Sequence, residues 1–375
     1  MSNPMTPNIP LVGTNRASSG ARRAREWRLA LSSAALLLLS ALSAATASAS
    51  ETTLRLIGAG ATFPAPLYLR WTRDYHRLHP SVQTDYHPVS SSGGVTDLIG
   101  GRIDFAGSDL RLTPEQRAQV QGGAVELPMV AGAIVLVYNL DGVPSLRLSR
   151  EAVIGIFDGS IARWNDARIA EVNPDVTLPD APITVVTRVG ASGTSYSLTQ
   201  HLGTISPSFA DAVVTSLSPA WPKRLQQRGG LVKANGNDGV AATVRAIPGA
   251  LGYVQYAYAF LSNMTTATLE NRDGKYVAPN DESFAAAVDA IRADRSVETL
   301  RDPPGAHSYP MIGISWLIMR ERYDDPAKLA ALIGLIDYAL GPGQEDVATL
   351  GYIPFSSGAI DFVRSEVDRL RSSAE

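Results

Sequence analysis

The chain has 375 residues, of which 45% are hydrophobic, a formal net charge of −3 and no cysteine. The absence of cysteine excludes disulfides, thiolate metal sites, cysteine nucleophiles and a lipid-modified cysteine. No basic run occurs beyond the N-terminal segment, which argues against nucleic acid as a partner.

The N-terminal segment is predicted to be an export signal. Five arginines between positions 16 and 28 precede an apolar stretch at 29–42 and the small-residue pattern Ala47-Ser48-Ala49. This order predicts a secretory signal peptide, 1–49, cleaved after Ala49, and therefore a periplasmic protein. Serines interrupt the apolar stretch, which is shorter than the roughly 20 residues that span a bilayer, so no membrane insertion is expected after cleavage.

The remainder alternates short apolar runs with amphipathic stretches, a pattern typical of an α/β protein. Strands are predicted at 54–57, 103–106, 131–138, 183–187, 251–256 and 312–319. Helices are predicted at 150–157, 283–291, 326–339 and 357–371. Another helix is predicted to bury one face formed by Leu67, Trp71, Tyr75 and Leu78. Joints near Pro128 and at 303–310 are candidate crossings between two lobes.

Three small-residue loops each precede a predicted helix. They are Gly58-Ala-Gly-Ala-Thr-Phe-Pro64, Ser90-Ser-Ser-Gly-Gly94 and Gly190-Ala-Ser-Gly-Thr194. A helix N-terminus offers free N–H groups and a partial positive charge, so it binds anions. One such loop is usually only a helix cap, but three in one chain predict an anion site.

Two charged residues stand beside these loops. Arg188 ends a predicted strand, and its fork of donors suits a tetrahedral oxyanion. Asp109 follows another predicted strand and would accept a hydrogen bond from a proton on the ligand. Phosphate keeps such a proton near neutral pH, whereas sulfate does not, so Asp109 predicts selectivity for phosphate. Taken alone, Arg188 is better explained as a surface arginine at a strand end, and the alternative for Asp109 is a helix or turn cap.

The motifs resemble those of the periplasmic phosphate-binding proteins of phosphate-specific ABC transporters, over nearly the whole mature chain. The matching segments are Gly58-Ala-Gly-Ala-Thr-Phe-Pro-Ala-Pro66, Ser91-Ser-Gly-Gly94, Asp104-Phe-Ala-Gly-Ser-Asp109, Trp164-Asn-Asp166, Asn173-Pro174, Arg188 with Ser192-Gly-Thr-Ser195, Asn235-Gly-Asn-Asp-Gly-Val-Ala-Ala242 and Gly249-Ala-Leu-Gly-Tyr-Val-Gln-Tyr-Ala-Tyr258.

The resemblance implies a two-lobed periplasmic binding protein fold, type II-like, with phosphate in a cleft between lobes joined by hinge strands. Lobe I would comprise 50–130 and 311–375, and lobe II 131–310. The implied ligands are Thr62, Phe63 through its N–H, Ser91, Asp109, Arg188, Ser192, Gly193 and Thr194. The implied partners are phosphate and the permease and ATPase of the transporter. The protein would be a monomeric binder, not an enzyme, and would need no cofactor.

Two positions depart from the family pattern. Ser90 stands where the family often has glycine, which adds a hydroxyl close to the site. Gly190 stands where well-known members carry an aspartate that braces the site arginine. Another carboxylate is therefore expected to hold Arg188, or the arginine is held less firmly.

Three alternatives remain open. A serine hydrolase acting on phosphate esters would use Ser192 with His201, although the loop lacks the Gly-x-Ser-x-Gly spacing. A metal site would use His76, His79 and His87, although a solvated helix face explains the first two better. A binder or sensor of another protonated oxyanion, such as arsenate, would need no transporter.

Overall fold

A computed structural model describes residues 53–227, 230–294 and 301–374 of the chain. The predicted signal peptide and its cleavage point at Ala49 lie outside these residues. Within the described ranges, no helix combines the length and the apolar character that a bilayer crossing requires.

Strands and helices alternate along most of the chain. The strands are β1 Leu54–Gly60, β2 Val82–Pro88, β3 Phe105–Ser108, β4 Ala124–Tyr138, β5 Arg147–Leu148, β6 Thr184–Arg188, β7 Leu231–Ala234, β8 Ala250–Gln255, β9 Thr268–Glu270, β10 Tyr276–Val277 and β11 Ile312–Arg320. The helices are α1 Ala65–Leu78, α2 Ser91–Ile99, α3 Pro114–Gln119, α4 Arg150–Asp158, α5 Ala167–Ala170, α6 Gly193–Ile205, α7 Pro207–Ala212, α8 Lys223–Gln227, α9 Gly236–Ala246, α10 Tyr256–Leu261, α11 Asp281–Asp294, α12 Pro326–Leu340, α13 Glu345–Thr349 and α14 Ser357–Ala374.

The main sheet has the strand order β2-β1-β3-β11-β4-β8-β6-β7, and a small sheet has the order β10-β9-β5. In the main sheet, β1 pairs in parallel with β2 and β3, and β6 pairs in parallel with β7 and β8. The parallel pairs require crossover connections, which α1 and α2 supply among β1, β2 and β3, and α6 to α9 supply among β6, β7 and β8. The predicted α/β architecture is confirmed.

Strand β4 is a long central strand whose two parts pair with different neighbours in the main sheet. It pairs with β11 from Ala124 to Ala133 and with β8 from Ile134 to Tyr138. We call β2, β1, β3, β11 and the first part of β4 the first sheet half. The second sheet half is the rest of β4 with β8, β6 and β7. Pro128 lies inside β4, not in a loop, beside a register shift in the pairing with β11, where its missing N–H is tolerated.

Helix α1 buries three of the four residues predicted to form one apolar face. Leu67, Trp71 and Tyr75 are buried, and Trp71 Nε1 donates to the Gly343 carbonyl at 2.8 Å. The prediction is wrong for Leu78, whose exposed fraction is 62%. The end of the helix and the residue that follows it, 76–79, are exposed throughout.

Strands β2 and β7 are absent from the sequence prediction. They occupy the two edges of the main sheet. The sequence of β2, Val82-Gln-Thr-Asp-Tyr-His-Pro88, has no apolar run, because an edge strand with exposed positions need not be apolar throughout. The predicted strand 103–106 is displaced in the structure, where β3 covers Phe105–Ser108.

Candidate anion-binding site

Each of the three small-residue loops connects a strand to the start of a helix. The first joins β1 to α1, the second joins β2 to α2, and the third joins β6 to α6. Backbone bonds tie the first two together with β3: Ala61 N donates to Gly107 O and Val89 N donates to Gly60 O, both at 2.8 Å. The first two loops and the end of β3 therefore form one rigid edge.

Serine side chains cap two of these helices. Ser90 Oγ accepts from Gly93 N at 3.0 Å, and Ser192 Oγ accepts from Ser195 N at 3.2 Å. Each cap satisfies one N–H of the first turn, and the other N–H groups there have no partner within the helix. The starts of α2 and α6 thus keep donors for an anion. The Ser90 hydroxyl is used as a cap.

Asp109 lies where the second and third loops meet. Ser91 Oγ is 3.4 Å from Asp109 Oδ2, and Ser315 Oγ donates to Asp109 Oδ1 at 2.8 Å. A Cβ at Gly193 would lie 2.3 Å from Asp109 Cβ and 2.4 Å from Oδ2. Only glycine allows α6 to begin this close to the carboxylate. The contact brings the start of α6 against the end of β3.

Arg188 ends β6 and is buried, with an exposed fraction of 7%. Its Nη1 is 3.4 Å from Thr194 Oγ1, and its backbone N–H donates to Tyr253 Oη at 3.2 Å. Among the described residues, its Nε has no hydrogen-bond partner. A buried guanidinium with an unused donor is costly, and an anionic ligand would satisfy it.

The two charged groups have shifted pKa values. Burial raises the pKa of Asp109 to about 7, although hydrogen bonding to Ser315, the charge of Arg188 and hydrogen bonding to Ser91 oppose the shift. Burial lowers the pKa of Arg188, and Tyr253 and Asp109 oppose that shift. Near neutral pH, the Asp109 carboxyl is therefore present in both its ionised and its protonated form. The ionised form can accept a hydrogen bond from a protonated ligand, and the protonated form can donate one.

Three tyrosines fix the loop between β1 and α1. Tyr86 Oη donates to Ala61 O at 2.7 Å, Tyr258 Oη donates to Thr62 O at 2.6 Å, and Tyr352 Oη donates to Phe63 O at 2.7 Å. These bonds satisfy three consecutive carbonyls and so fix the peptide planes that carry the loop N–H groups. Sequence reasoning assigned no role to these tyrosines, since they come from β2, α10 and the segment before α14.

Thr62 is linked to the start of α9. Its Oγ1 accepts from Asn237 Nδ2 at 2.8 Å and from Asn237 N at 3.3 Å. Asn237 is fully buried, and its Oδ1 accepts from Gln255 N at 3.0 Å. Asn237 was noted only within a motif that resembles the family. Its position explains that motif, because it connects the first loop to β8.

Gly190 adopts a left-handed backbone with φ +70°, and a Cβ there would meet nothing within 4 Å. An aspartate at this position would therefore be strained by its backbone, not crowded by neighbours. Asp238, in the first turn of α9, contributes a favourable charge that raises the pKa of Arg188 against the larger effect of burial. The pairing of Arg188 with Ala234 places the start of α9 next to the arginine.

The geometry does not favour the hydrolase alternative. Ser192 Oγ caps α6, whereas His201 Nδ1 lies 2.6 Å from the Arg301 carbonyl. The metal alternative also lacks support, since no group of three metal-ligating side chains occurs among the described residues. His76 and His79 are exposed at the end of α1, and His76 Nδ1 contacts the Val82 carbonyl at 2.8 Å.

The predicted residues lie in small contacting groups. Ser91 and Gly193 each contact Asp109, and Arg188 contacts Thr194. Ser192 is buried at the cap of α6. Thr62 and Phe63, also buried, are fixed by Asn237, Tyr258 and Tyr352.

Comparisons with known proteins agree on one family for this chain. Residues 45–342 match the model of the PBP superfamily domain. The chain is 33% identical over 316 residues to the phosphate-binding protein PstS of Pasteurella multocida, which covers 83% of this chain and 89% of that protein. It is 33% identical over 308 residues to the phosphate-binding protein PstS of Xylella fastidiosa, with coverages of 80% and 81%.

Among solved structures, the fold is similar to that of a high affinity periplasmic phosphate-binding protein, PfluDING, bound with phosphate. The TM-score is 0.67 at 21% sequence identity, and the match covers 83% of this chain and 93% of that one. The structural match supports the fold, and the sequence matches support the family. The chain belongs to the PstS family of phosphate-binding proteins.

Proposed function

We propose that this protein binds inorganic phosphate and delivers it to an ABC transporter. The observation that carries the proposal is the arrangement around Asp109. A carboxyl with a pKa raised to about 7 by burial lies against the start of α6, and the buried Arg188 has an unused Nε donor. A donor-rich site with one protonatable acceptor matches a partly protonated tetrahedral anion.

The proposed ligands combine backbone and side-chain donors with that acceptor. They are Thr62, Phe63 through its N–H, Ser91, Asp109, Arg188, Ser192, Gly193 and Thr194. Arg188 is the one cation in this set, so most of the stabilisation comes from hydrogen bonds and from helix N-termini.

Selectivity against sulfate follows from Asp109. Ionised Asp109 accepts a hydrogen bond from protonated phosphate, but it would face a second acceptor in sulfate. Sites that hydrogen-bond a ligand group reject an analogue lacking it by roughly 10⁴-fold or more. Arsenate protonates like phosphate, so the same carboxylate does not reject it.

We propose further that residues 1–49 direct export to the periplasm and are removed, and that the monomer has two lobes, 50–130 with 311–375 and 131–310. Phosphate would bind between these lobes, which would close on it. The closed form would dock on the permease of a complex that also contains an ATPase. Membership of the PstS family supports this transport role.

Titration calorimetry of the mature protein with phosphate, sulfate and arsenate tests the proposal. We expect tight phosphate binding, arsenate binding of similar order and no detectable sulfate binding at pH 8. In Asp109→Asn, whose amide can donate to sulfate, phosphate affinity should change modestly and the preference over sulfate should fall at least tenfold.

Equal affinity for sulfate and phosphate in the unaltered protein would overturn the selectivity argument. No binding of phosphate or arsenate would overturn the function. Deletion of the neighbouring permease gene, if one is present, should abolish uptake but leave binding unchanged. Uptake that continues would favour a sensor or scavenger.

A further inference from the structure

A cavity of about 260 Å³ lies beside Asp109, between β11 and α6. Trp316 lines it on the β11 side, and Gln200 and His201 line it on the α6 side. Two arginines, Arg111 and Arg301, also line it, and neither belongs to the proposed phosphate ligands. Of the proposed phosphate ligands, Asp109 lines the cavity, which therefore places these two arginines on the walls of the same space as that carboxylate.

Arg111 lies at the cavity wall, and its positive charge is only partly neutralised by its neighbours. Its guanidinium carbon lies 5.1 Å from the ring centroid of Trp316, and its Nη2 is 3.6 Å from Glu126 Oε1. Arg117 pairs with the same Glu126 oxygen. Since two guanidinium groups share one carboxylate, that carboxylate cannot neutralise both. The Arg111 side chain is 62% exposed, so its charge can attract anions from the solvent.

Arg301 is fixed on the opposite side by neutral groups. Its carbonyl contacts His201 Nδ1 at 2.6 Å, and with the amide of Gln200 oriented to accept, its Nη2 and Nε donate to Gln200 Oε1 at 3.1 and 3.0 Å. Burial lowers the pKa of His201, so this ring is neutral near pH 7. The adjacent Asp302 is engaged with Arg150 at 2.8 Å.

The charges around the cavity favour anions. Asp109 is the one carboxylate among the described residues that line it, and burial raises its pKa to about 7. Arg111 and Arg301 thus outweigh it, although the whole chain carries a net charge of −3. A phosphate dianion is repelled by the protein as a whole and attracted at this cavity.

We propose that Arg111 and Arg301 form an outer anion site that attracts phosphate from solvent and passes it to the inner site at Asp109 and Arg188. This inference rests on the proposed phosphate binding. A cleft lined by charge of one sign raises association rates by about 10- to 10³-fold, and salt screens the effect. The outer site therefore acts on the association rate, whereas the inner donors determine the dissociation rate.

Stopped-flow measurement of tryptophan fluorescence, with Trp316 in the cavity wall as the reporter, tests the inference. The variants are Arg111→Gln, Arg301→Gln and the double variant. Arg55→Gln is the matched control for each single variant, since Arg55 lies at the start of β1, away from the loop end of that strand, and its loss removes the same one positive charge.

At about 10 mM salt, where the Debye length is about 30 Å, we expect phosphate association to slow at least tenfold in the double variant. At about 1 M salt, where the Debye length is about 3 Å, the difference should fall below about twofold. Dissociation rates should be unchanged, and Arg55→Gln should behave like the unaltered protein. Arg111→Lys and Arg301→Lys keep the charge and should keep the association rate.

Three outcomes would overturn the inference. Equal association rates at low salt would show that the arginines do not attract the ligand. Faster dissociation with unchanged association would place them in the inner site. A loss of rate shared by Arg55→Gln would assign the effect to net charge. Calorimetry at both salt concentrations separates these outcomes from failure of the proposed function, in which the unaltered protein itself would not bind phosphate.

Discussion

Asp109 and Arg188 are both held in surroundings that disfavour their charged forms. Burial raises the pKa of Asp109 and lowers that of Arg188. Neither effect helps the protein fold, because a charge removed from water without a full set of partners is unfavourable. A binding role explains both features better. The Arg188 Nε donor has no partner among the described residues, and Asp109 lies against the start of α6, where an anion could contact both groups.

The raised pKa of Asp109 makes a prediction about stability. A group whose folded-state pKa lies above the unfolded value of about 3.9 contributes stability that is full below that value and is lost as pH rises through the folded pKa. Ligand-free Asp109→Asn cannot ionise, so it should gain stability relative to the unaltered protein as pH rises from about 4 to 8, by up to about 4 kcal/mol.

Urea unfolding at several pH values measures this difference in the free energy of unfolding. Asp85→Asn, which breaks an exposed ion pair with Arg55, is the control and should show no such rise. A constant difference between Asp109→Asn and the unaltered protein would mean that the Asp109 carboxyl ionises as easily as in water.

At the scale of elements, the start of α6 depends on one contact. Gly193 is the first residue of the helix, and a Cβ there would clash with the Asp109 side chain at 2.3 Å. The strands β3 and β6, which precede Asp109 and the α6 loop, belong to different sheet halves. The approach of α6 to Asp109 therefore depends on the absence of one methyl group.

Gly193→Ala should weaken phosphate binding by at least 100-fold, because either Asp109 or the start of α6 must move. Gly203→Ala is the matched control in the same helix, where the added Cβ would meet Ala210 Cβ at 3.4 Å, an ordinary contact. That variant should keep its affinity and gain about 0.5–1 kcal/mol of stability, since alanine favours a helix interior. Calorimetry and thermal unfolding of both variants give the comparison, and full affinity in Gly193→Ala would contradict the contact.

For the whole molecule, hydrogen bonds join the two sheet halves around the first loop. Thr62, which follows β1 in the first half, accepts from Asn237 of α9 through its hydroxyl and from Tyr258 of α10 through its carbonyl. Both helices flank β8, in the second half. These bonds hold the halves together over the site, and β4, which belongs to both halves, provides the continuous strand between them.

Tyr258→Phe should lower phosphate affinity by about tenfold and the free energy of unfolding by about 1–3 kcal/mol, because the Thr62 carbonyl loses its short bond from Tyr258 and keeps only the longer one from Ala65 N. Tyr309→Phe is the control: Tyr309 is buried, and its Oη has no hydrogen-bond partner among the described residues, so removal of the hydroxyl should cost little. Calorimetry and urea unfolding measure the two effects. Equal behaviour of the two variants would show that the bond to Thr62 does not position the loop.

The sequence predicted much of the site because its motifs are local. A strand, a small-residue loop and a helix start are written in consecutive residues, so Ser91, Gly193 and the loop before α1 could be located without a structure. Arg188 was found because it ends a strand, and Asp109 because it directly follows one. The edge strands β2 and β7 were missed, since their pattern is set by pairing at the sheet edge, not by an apolar run.

The sequence by itself determined the α/β class, the family and the residue types that suit an anion, because periodicity and motif chemistry depend on near neighbours in the chain. Only the tertiary structure decided that Tyr86, Tyr258 and Tyr352 satisfy one loop, that Gly193 touches Asp109, and that Arg111 and Arg301 share a cavity. These residues are distant in sequence. Their proximity, and the pKa shifts that burial causes, result from the packing of the elements against each other.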